Sequence, residues 1–116
     1  MNKDDINKIE KIISDREEAH NFLLTKKSKV YKAFLELEKN TYLDKSLTKM
    51  QKELIAIGIS IIINCESCIE WHIKEALNSG ANREQIIEAI EVAIEMGGGP
   101  ATVSSRFAFK VLEYYS

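Results

Sequence analysis

The chain has few of the residues that form the turns of β structure, Gly and Pro, and few Cys to cross-link a small fold. It contains one Pro and five Gly in 116 residues, and only two Cys. A fold of many strands needs Gly and Pro in its turns, so their scarcity favours helices. Two Cys cannot build the disulfide framework of a small secreted protein, and their close spacing points to chemistry instead.

An excess of charge of one sign is also missing, as is a long hydrophobic run. The 16 basic and 18 acidic side chains give a formal net charge of -2, without the basic excess that a nucleic-acid binder normally carries. The longest apolar run, Leu54 to Ile63, is about half of the roughly 20 residues that span a bilayer. The first five residues lack the apolar stretch of a secretory signal. We therefore expect a cytoplasmic protein that binds neither nucleic acid nor membrane.

What is present is an ordinary globular mixture, with 45% apolar and 29% charged residues. A chain of this length can bury a core of its own. We predict a single domain over residues 1–116, in which residues 1–27 form an N-terminal helical extension.

Apolar spacing and capping signals predict an all-α, compact bundle of five to six helices. Residues 30–37 fit an amphipathic helix that ends near Tyr42. Capping signals, in which a side chain accepts a free backbone N–H at a helix start, occur twice: Thr48 with Gln51, and Asn82 with Gln85. Gly80 suits a helix end, and the Gly97–Pro100 stretch separates the last two helices.

The run from Leu54 to Ile63 is apolar on every face apart from Gly58 and Ser60. A strand is the alternative reading because Ile is abundant, but the capping box at Thr48 favours a helix. A helix that is apolar all round must be buried all round. Because a chain of this size has difficulty enclosing one helix completely, we expect a homo-oligomer in which a partner subunit covers part of it.

The most informative stretch is Cys65-X-X-Cys68-X-X-X-His72. We expect Asn64 to cap the helix that carries it, with Cys65, Cys68 and His72 on one face. The dipole at a helix N-terminus favours thiolate over thiol. His72, one turn after Cys68, is placed to act as its general base.

Glu53 is the one acid between Thr48 and Cys65. A continuous helix would separate Glu53 from Cys65 by about 18 Å, whereas a chain reversal near Asn64 would bring it level with His72. Glu53 would then orient His72. Trp71 belongs to a core, to an interface or to the wall of a substrate pocket, and His20 is assigned no role.

Other interpretations of the Cys pair stay open. The two thiols could be buried structural residues, or Cys65, Cys68, His72 and Glu53 could bind zinc. A c-type haem attachment is excluded because Ile69 stands where that motif has His. The Gly97–Gly99 run is not followed by the Lys-Ser/Thr of a phosphate-binding loop. We favour a redox site without metal or cofactor.

Several segments together resemble the carboxymuconolactone decarboxylase superfamily, and the Cys pair resembles its AhpD-like (alkylhydroperoxidase-type) members. The segments are Lys52–Ile55, the Cys65–His72 motif, Gly80-Ala81, Glu84–Glu88 and Met96–Pro100. The resemblance covers roughly residues 28–111. It implies an all-helical homo-oligomer, often a trimer or hexamer, that acts as a thiol-dependent peroxidase or disulfide reductase. Its partners would be a hydroperoxide or disulfide substrate and a thiol reductant such as a lipoylated protein.

The resemblance also implies roles for the site residues. Cys68 would attack the substrate, Cys65 would resolve the product, and Glu53 with His72 would relay protons. Well-understood AhpD members have a second His directly before the second Cys, where this chain has Ser67; a relay without that imidazole would be weaker or use water. Lactone decarboxylation is less expected, since such members generally lack the Cys pair. The alternative is a non-enzymatic helical oligomer that senses redox state or binds a metal.

Overall fold

The structure, a computed structural model, describes all residues from Met1 to Ser116. It contains six α-helices and no strand: α1 (Lys3–Thr25), α2 (Lys29–Thr41), α3 (Lys49–Ile62), α4 (Glu66–Asn78), α5 (Arg83–Gly97) and α6 (Gly99–Tyr114). The predicted all-α class and helix number are confirmed. None of the six helices has the length and apolar character needed to cross a bilayer.

The predicted capping boxes begin α3 and α5. The Thr48 hydroxyl accepts the Gln51 N–H at 3.1 Å, and the Gln51 side chain accepts the Thr48 N–H at 2.9 Å. Asn82 and Gln85 make the same reciprocal pair at the start of α5. Between α5 and α6, Gly98 has φ 66° and ψ −146°, a backbone conformation open essentially to glycine alone. These local signals set the helix boundaries as predicted.

The core lies where α3, α4, α5 and α6 meet. Its largest members are fully buried aliphatic side chains: Ile57, Ile61, Ile69, Ile73, Ile86, Ile90, Val111 and Leu112. From α1 only Ile9 is buried, and α2 contributes no buried residue. α1 therefore adds one residue to the core and packs on α4 and α6, whereas α2 lies outside the core.

The apolar helix α3 is buried on one face only. Ile57 and Ile61 are buried, whereas Ile55, Ile59 and Ile62 are 52%, 56% and 49% exposed. The expectation of burial all round is therefore wrong for the isolated chain. The helices of the same chain pack against one side of α3 and leave the other uncovered.

Candidate functional site

The Cys pair sits in the tight corner between α3 and α4. The last turn of α3 closes in a Schellman motif, in which the Asn64 N–H donates to the Ile61 carbonyl at 3.1 Å and the Cys65 N–H to the Ser60 carbonyl at 3.0 Å. Asn64 has φ 53°, the left-handed conformation that Asn tolerates better than most residues. The corner therefore leads directly from the end of α3 into Cys65.

The prediction that Asn64 caps α4, the helix that carries Cys68 and His72, is wrong. Because Asn64 is used as the left-handed residue that ends α3, the N-cap of α4 moves to Cys65, whose φ of −100° and ψ of 98° are extended. The Cys65 Sγ accepts the Cys68 N–H at 3.2 Å. Cys65 is thus outside the helix, and only Cys68 and His72 share a face of α4.

Cys65 and Cys68 are joined in a disulfide with their Cα atoms 5.2 Å apart, within the usual range for such a bond. The two sulfurs differ in their surroundings. Cys68 lines two openings on either side of α4, while Cys65 lines neither of them. A molecule that enters the site therefore meets Cys68.

Glu53 and His72 meet across the α3–α4 interface, as a chain reversal near Asn64 requires. The His72 Nδ1 lies 2.6 Å from Glu53 Oε1, and the Glu53 side chain is 2% exposed. A carboxylate at Nδ1 holds the proton on that nitrogen and leaves Nε2 as the free acceptor. The buried Glu53 thereby orients the imidazole and stabilises it when it becomes charged.

Lys49 is a third member of this group, and it was not predicted from the sequence. Its Nζ donates to Glu53 Oε2, Glu75 Oε2 and Ser79 Oγ, each at 3.2 Å. Burial works against the charge of Lys49, but the hydrogen bonds to Glu53 and Glu75 outweigh it and raise the pKa of Lys49. Both oxygens of Glu53 therefore have a cationic or imidazole donor. The sequence pattern that could have indicated Lys49 is its i,i+4 spacing from Glu53.

Tyr42, just after α2, completes the surroundings of His72. The two ring centroids lie 5.6 Å apart. Burial, together with the negative charges of Glu53 and Glu38, raises the pKa of Tyr42. This phenol therefore keeps its proton while it covers one side of the imidazole. It lines the smaller opening, of about 450 Å³.

The larger opening on Cys68 is a cleft of about 670 Å³ between α1, α2 and α4. Aromatic and aliphatic side chains form much of its wall: Tyr31, Phe34, Leu35 and Trp71. Of the core, interface and pocket-wall positions expected for Trp71, the structure shows the last: its side chain lines this cleft. The single Trp of the chain is thus a neighbour of the Cys pair.

Arg16 of α1, which lines this cleft, binds the turn between the two Cys. Its Nη2 donates to the Ser67 carbonyl at 2.9 Å and to the Ser67 hydroxyl at 3.1 Å. Its guanidinium lies 5.2 Å from the centre of the Trp71 ring. Arg16 was not predicted from the sequence, because the contact spans 51 residues and leaves no local pattern.

Arg16 also neutralises a second buried carboxylate. Its Nη1 lies 2.6 Å from Glu70 Oε1, and the Glu70 side chain is 0% exposed. This contact is ionic, since Glu70 Oε1 accepts no hydrogen bond. The Tyr115 hydroxyl donates to the other oxygen, Oε2, and burial together with this bond raises the pKa of Tyr115. Two buried carboxylates thus hold different faces of α4: Glu53 of α3 through His72, and Glu70 of α4 through Arg16 and Tyr115.

His20, for which we predicted no role, also lies at this cleft. It is half-buried, lines the same cleft as Cys68, and its Nδ1 lies 2.5 Å from the Tyr31 hydroxyl. Nothing in the sequence near His20 indicates this position. α1 brings it there by packing on α4.

The four residues considered as zinc ligands are not arranged as a ligand set. The two sulfurs are bonded to each other, and Glu53 is engaged by His72 and Lys49. No group of three or more His, Cys, Asp or Glu side chains is positioned to hold a metal ion.

The chain is similar in sequence to proteins of several bacteria. A protein of Paracoccus denitrificans named uncharacterized protein 4 in cox locus is 44% identical over 81 residues, 70% of this chain and 73% of its own length. An uncharacterized protein of Cupriavidus necator is 39% identical over 83 residues, 72% of this chain and 71% of its own length. The alkyl hydroperoxide reductase AhpD of Corynebacterium kroppenstedtii is 33% identical over 52 residues, 45% of this chain and 30% of its own length.

Solved structures agree with these sequence matches. A carboxymuconolactone decarboxylase family protein from Legionella pneumophila, in its apo form, superposes with a TM-score of 0.89 at 27% identity, covering 95% of this chain and 98% of that one. A Thermotoga maritima protein superposes with a TM-score of 0.82 at 28% identity, covering 90% and 92%. The model of the carboxymuconolactone decarboxylase family matches residues 28–111. This chain therefore belongs to the carboxymuconolactone decarboxylase family, as an AhpD-like member with a Cys-X-X-Cys pair.

Proposed function

We propose that this protein is a thiol-dependent oxidoreductase that reduces a hydroperoxide or a disulfide through Cys68. The observation that carries the proposal is the arrangement at Cys68. This Cys lines an open cleft, shares a face of α4 with His72, and has the buried Glu53 behind that imidazole. An accessible thiol, a base and an orienting carboxylate form the usual arrangement of an activated sulfur nucleophile.

The first step is removal of the Cys68 proton in the reduced protein. His72 Nε2 is free to take it because Nδ1 is hydrogen-bonded to Glu53. The imidazolium that forms is stabilised by the Glu53 carboxylate. Lys49, on the other oxygen of Glu53, pairs that buried carboxylate with a cation.

The thiolate then attacks the terminal oxygen of a hydroperoxide. An S–O bond forms, the O–O bond breaks, and the organic oxygen leaves as an alcohol after taking up a proton. Cys65 attacks the resulting sulfenic acid at Cys68, which forms the disulfide and releases water. The peroxide gains two electrons and the two thiols lose them. With a disulfide substrate, Cys68 forms a mixed disulfide that Cys65 resolves.

An external dithiol has to restore the reduced pair. We propose a small thiol carrier, such as a lipoylated protein, for this step, and the cytoplasm as the compartment, because thiols are kept reduced there. We treat residues 1–116 as one domain that carries the whole site. Lactone decarboxylation has less support, because the chain retains both Cys residues.

We further propose that the protein is a homo-oligomer through the uncovered face of α3. An apolar groove of about 740 Å³ runs between α3 and α5, away from Cys68. Its exposed apolar members are Ile55, Ile59, Ile62, Val92 and Met96. An apolar surface of this kind on a single chain is typical of an interface. A second copy of the chain is its expected occupant.

The function is tested with the reduced wild type, Cys65→Ser and Cys68→Ser. Each is treated with one equivalent of cumene hydroperoxide and followed by intact mass and thiol count. We expect the wild type to lose about 2 Da and both thiols, and Cys65→Ser to hold a sulfenic acid that Cys68→Ser does not form. With excess dihydrolipoamide only the wild type should turn over.

Two results would contradict the mechanism. Full peroxide consumption by Cys68→Ser would remove Cys68 from the attacking role. A wild type that oxidises once but does not turn over with any dithiol would favour the non-enzymatic redox sensor instead.

A further inference from the structure

We propose that Tyr31, with His20 behind it, is the proton donor to the leaving oxygen of an organic hydroperoxide bound in the cleft. The inference rests on the proposed function and adds a residue pair to it. Both residues line the cleft that opens on Cys68 and His72, and their side chains are hydrogen-bonded at 2.5 Å. The proposed mechanism so far leaves both groups unused.

The pair is held in place by the anchoring of α1. Arg16 binds Ser67 and lies over Trp71, and His20 follows one helical turn later, about 6 Å along the helix axis. His20 therefore lies on the same face of α1, against the cleft. Tyr31 comes from the first turn of α2, whose N-cap Ser28 accepts the Tyr31 N–H at 3.1 Å.

The pair is not needed to complete the core. Both side chains are only partly buried, and α2 buries no residue at all. Their hydrogen bond is the only one between side chains of α1 and α2. Much of the wall around them is apolar, formed by Phe34, Leu35 and Trp71. A hydrogen-bonded phenol and imidazole in such a wall are placed to face a ligand.

The cleft fits an organic hydroperoxide with a sizeable apolar group. Its volume of about 670 Å³ is within the range of sites that hold ligands of drug size, about 300–1,000 Å³. With the terminal oxygen at Cys68, the organic group would lie among the aromatic side chains. The oxygen that bears this group would then lie on the side of the cleft that holds Tyr31.

The proton balance of the step is complete. The Cys68 thiolate bonds to the terminal oxygen, and the O–O bond breaks with its electron pair on the organic oxygen. The Tyr31 hydroxyl gives that oxygen a proton and so releases an alcohol. Solvent then protonates His20 Nε2 while His20 Nδ1–H, hydrogen-bonded to the phenol oxygen, returns a proton to Tyr31, so the imidazole stays neutral and ends as its other tautomer.

The test compares two oxidants that differ in their need for a proton. The leaving group of cumene hydroperoxide is an alkoxide, which is a strong base. The leaving group of peracetic acid is acetate, which departs without protonation. Single-turnover oxidation of the reduced protein is followed by stopped-flow fluorescence of Trp71, the only Trp of the chain. The variants are Tyr31→Phe and His20→Gln, and Tyr114→Phe is the control because its hydroxyl bonds Glu10, away from the cleft.

We expect Tyr31→Phe to react with cumene hydroperoxide about 100-fold more slowly, since a positioned acid contributes about 10²–10⁴-fold. Its reaction with peracetic acid should be unchanged. His20→Gln should show the same selective loss to a smaller extent, and Tyr114→Phe no loss.

An equal loss with both oxidants would mean that Tyr31 only shapes the cleft, and no loss with either would exclude it from the step; each overturns this inference while the proposed function stands. A wild type inert to both oxidants would instead overturn the peroxidase function and this inference with it.

Discussion

At the scale of single residues, two buried carboxylates determine how α4 is held. Glu53 faces His72 and Lys49 on one side of the helix, and Glu70 faces Arg16 and Tyr115 on another. A buried charge is tolerated only when it is paired. Of these two groups, the first serves the proposed chemistry directly and the second fixes the turn that carries the two Cys.

Replacing Glu53 with Gln should slow the reaction of Cys68 with a hydroperoxide by about 10- to 100-fold at neutral pH. The reason is the loss of a hydrogen bond to a charged imidazolium, worth about 1.5–3 kcal/mol. The loss should shrink as the pH rises, because the Cys68 thiol then ionises without help from His72. The measurement is the pH profile of kcat/KM. Glu95→Gln, on the exposed face of α5, is the control, and a deficit independent of pH would contradict the role.

Replacing Arg16 with Leu should lower the free energy of unfolding by about 3 kcal/mol, because it leaves the carboxylate of Glu70 buried without its cation. Adding Glu70→Gln in the same chain removes that charge and should restore most of the loss. Urea unfolding at pH 7 measures both variants. A cost below about 1 kcal/mol for Arg16→Leu would place the pair among exposed ion pairs, which contribute little.

At the scale of helices, two corners of the fold have the same construction. Lys27 has φ 55° and ends α1, after which the Ser28 hydroxyl caps α2. Asn64 has φ 53° and ends α3, after which the Cys65 sulfur caps α4. A disulfide sulfur thus takes the capping position that a hydroxyl has in the first corner. The helix start of α4 and the Cys pair are therefore one structural feature.

The end of α5 depends on Gly97 because the backbone there approaches two other helices. A Cβ on Gly97 would lie 2.6 Å from Ile62 Cδ1 and 2.8 Å from the Cβ of Ala101. Ile62 is half exposed and can move, but Ala101 is buried in α6. Gly97→Ala should therefore destabilise the protein by about 1–3 kcal/mol.

The matched control is Gly58→Ala within α3, where the added Cβ would lie 3.8 Å from the Ala89 carbonyl oxygen, an ordinary contact. Urea midpoints of the two variants compare them directly. Similar midpoints would mean that α5 and α6 shift apart easily and that close approach at Gly97 is not required.

At the scale of the whole molecule, the distribution of apolar surface is uneven. One face of α3 forms the core, while its other face and the neighbouring face of α5 form the exposed groove. The helix α2 adds further exposed apolar side chains, with Val30 82% and Leu37 62% exposed. This distribution supports assembly of several chains.

Replacing Ile59 with Glu should convert the proposed oligomer to a monomer, because a carboxylate would have to be buried in an apolar interface without a partner. Light scattering after gel filtration measures the mass. Ser14→Glu adds the same charge to the exposed surface of α1 and should leave the mass unchanged. A wild type that is already a monomer would contradict the proposed assembly.

The features that could be predicted from the sequence are local. The number of helices, the capping boxes at Thr48 and Asn82, and the shared helix face of Cys68 and His72 follow from patterns within a few residues, because helix formation depends on neighbours three or four positions apart. The family could be inferred in the same way, from motif spacing.

The remaining features depend on contacts between distant segments of the chain. The shift of the α4 N-cap from Asn64 to Cys65 follows from how α3 ends. The positions of Arg16 and His20 at the cleft follow from how α1 packs on α4, some 50 residues along the chain. No local pattern encodes such contacts, because the burial and charge pairing that select them exist only once the helices are packed.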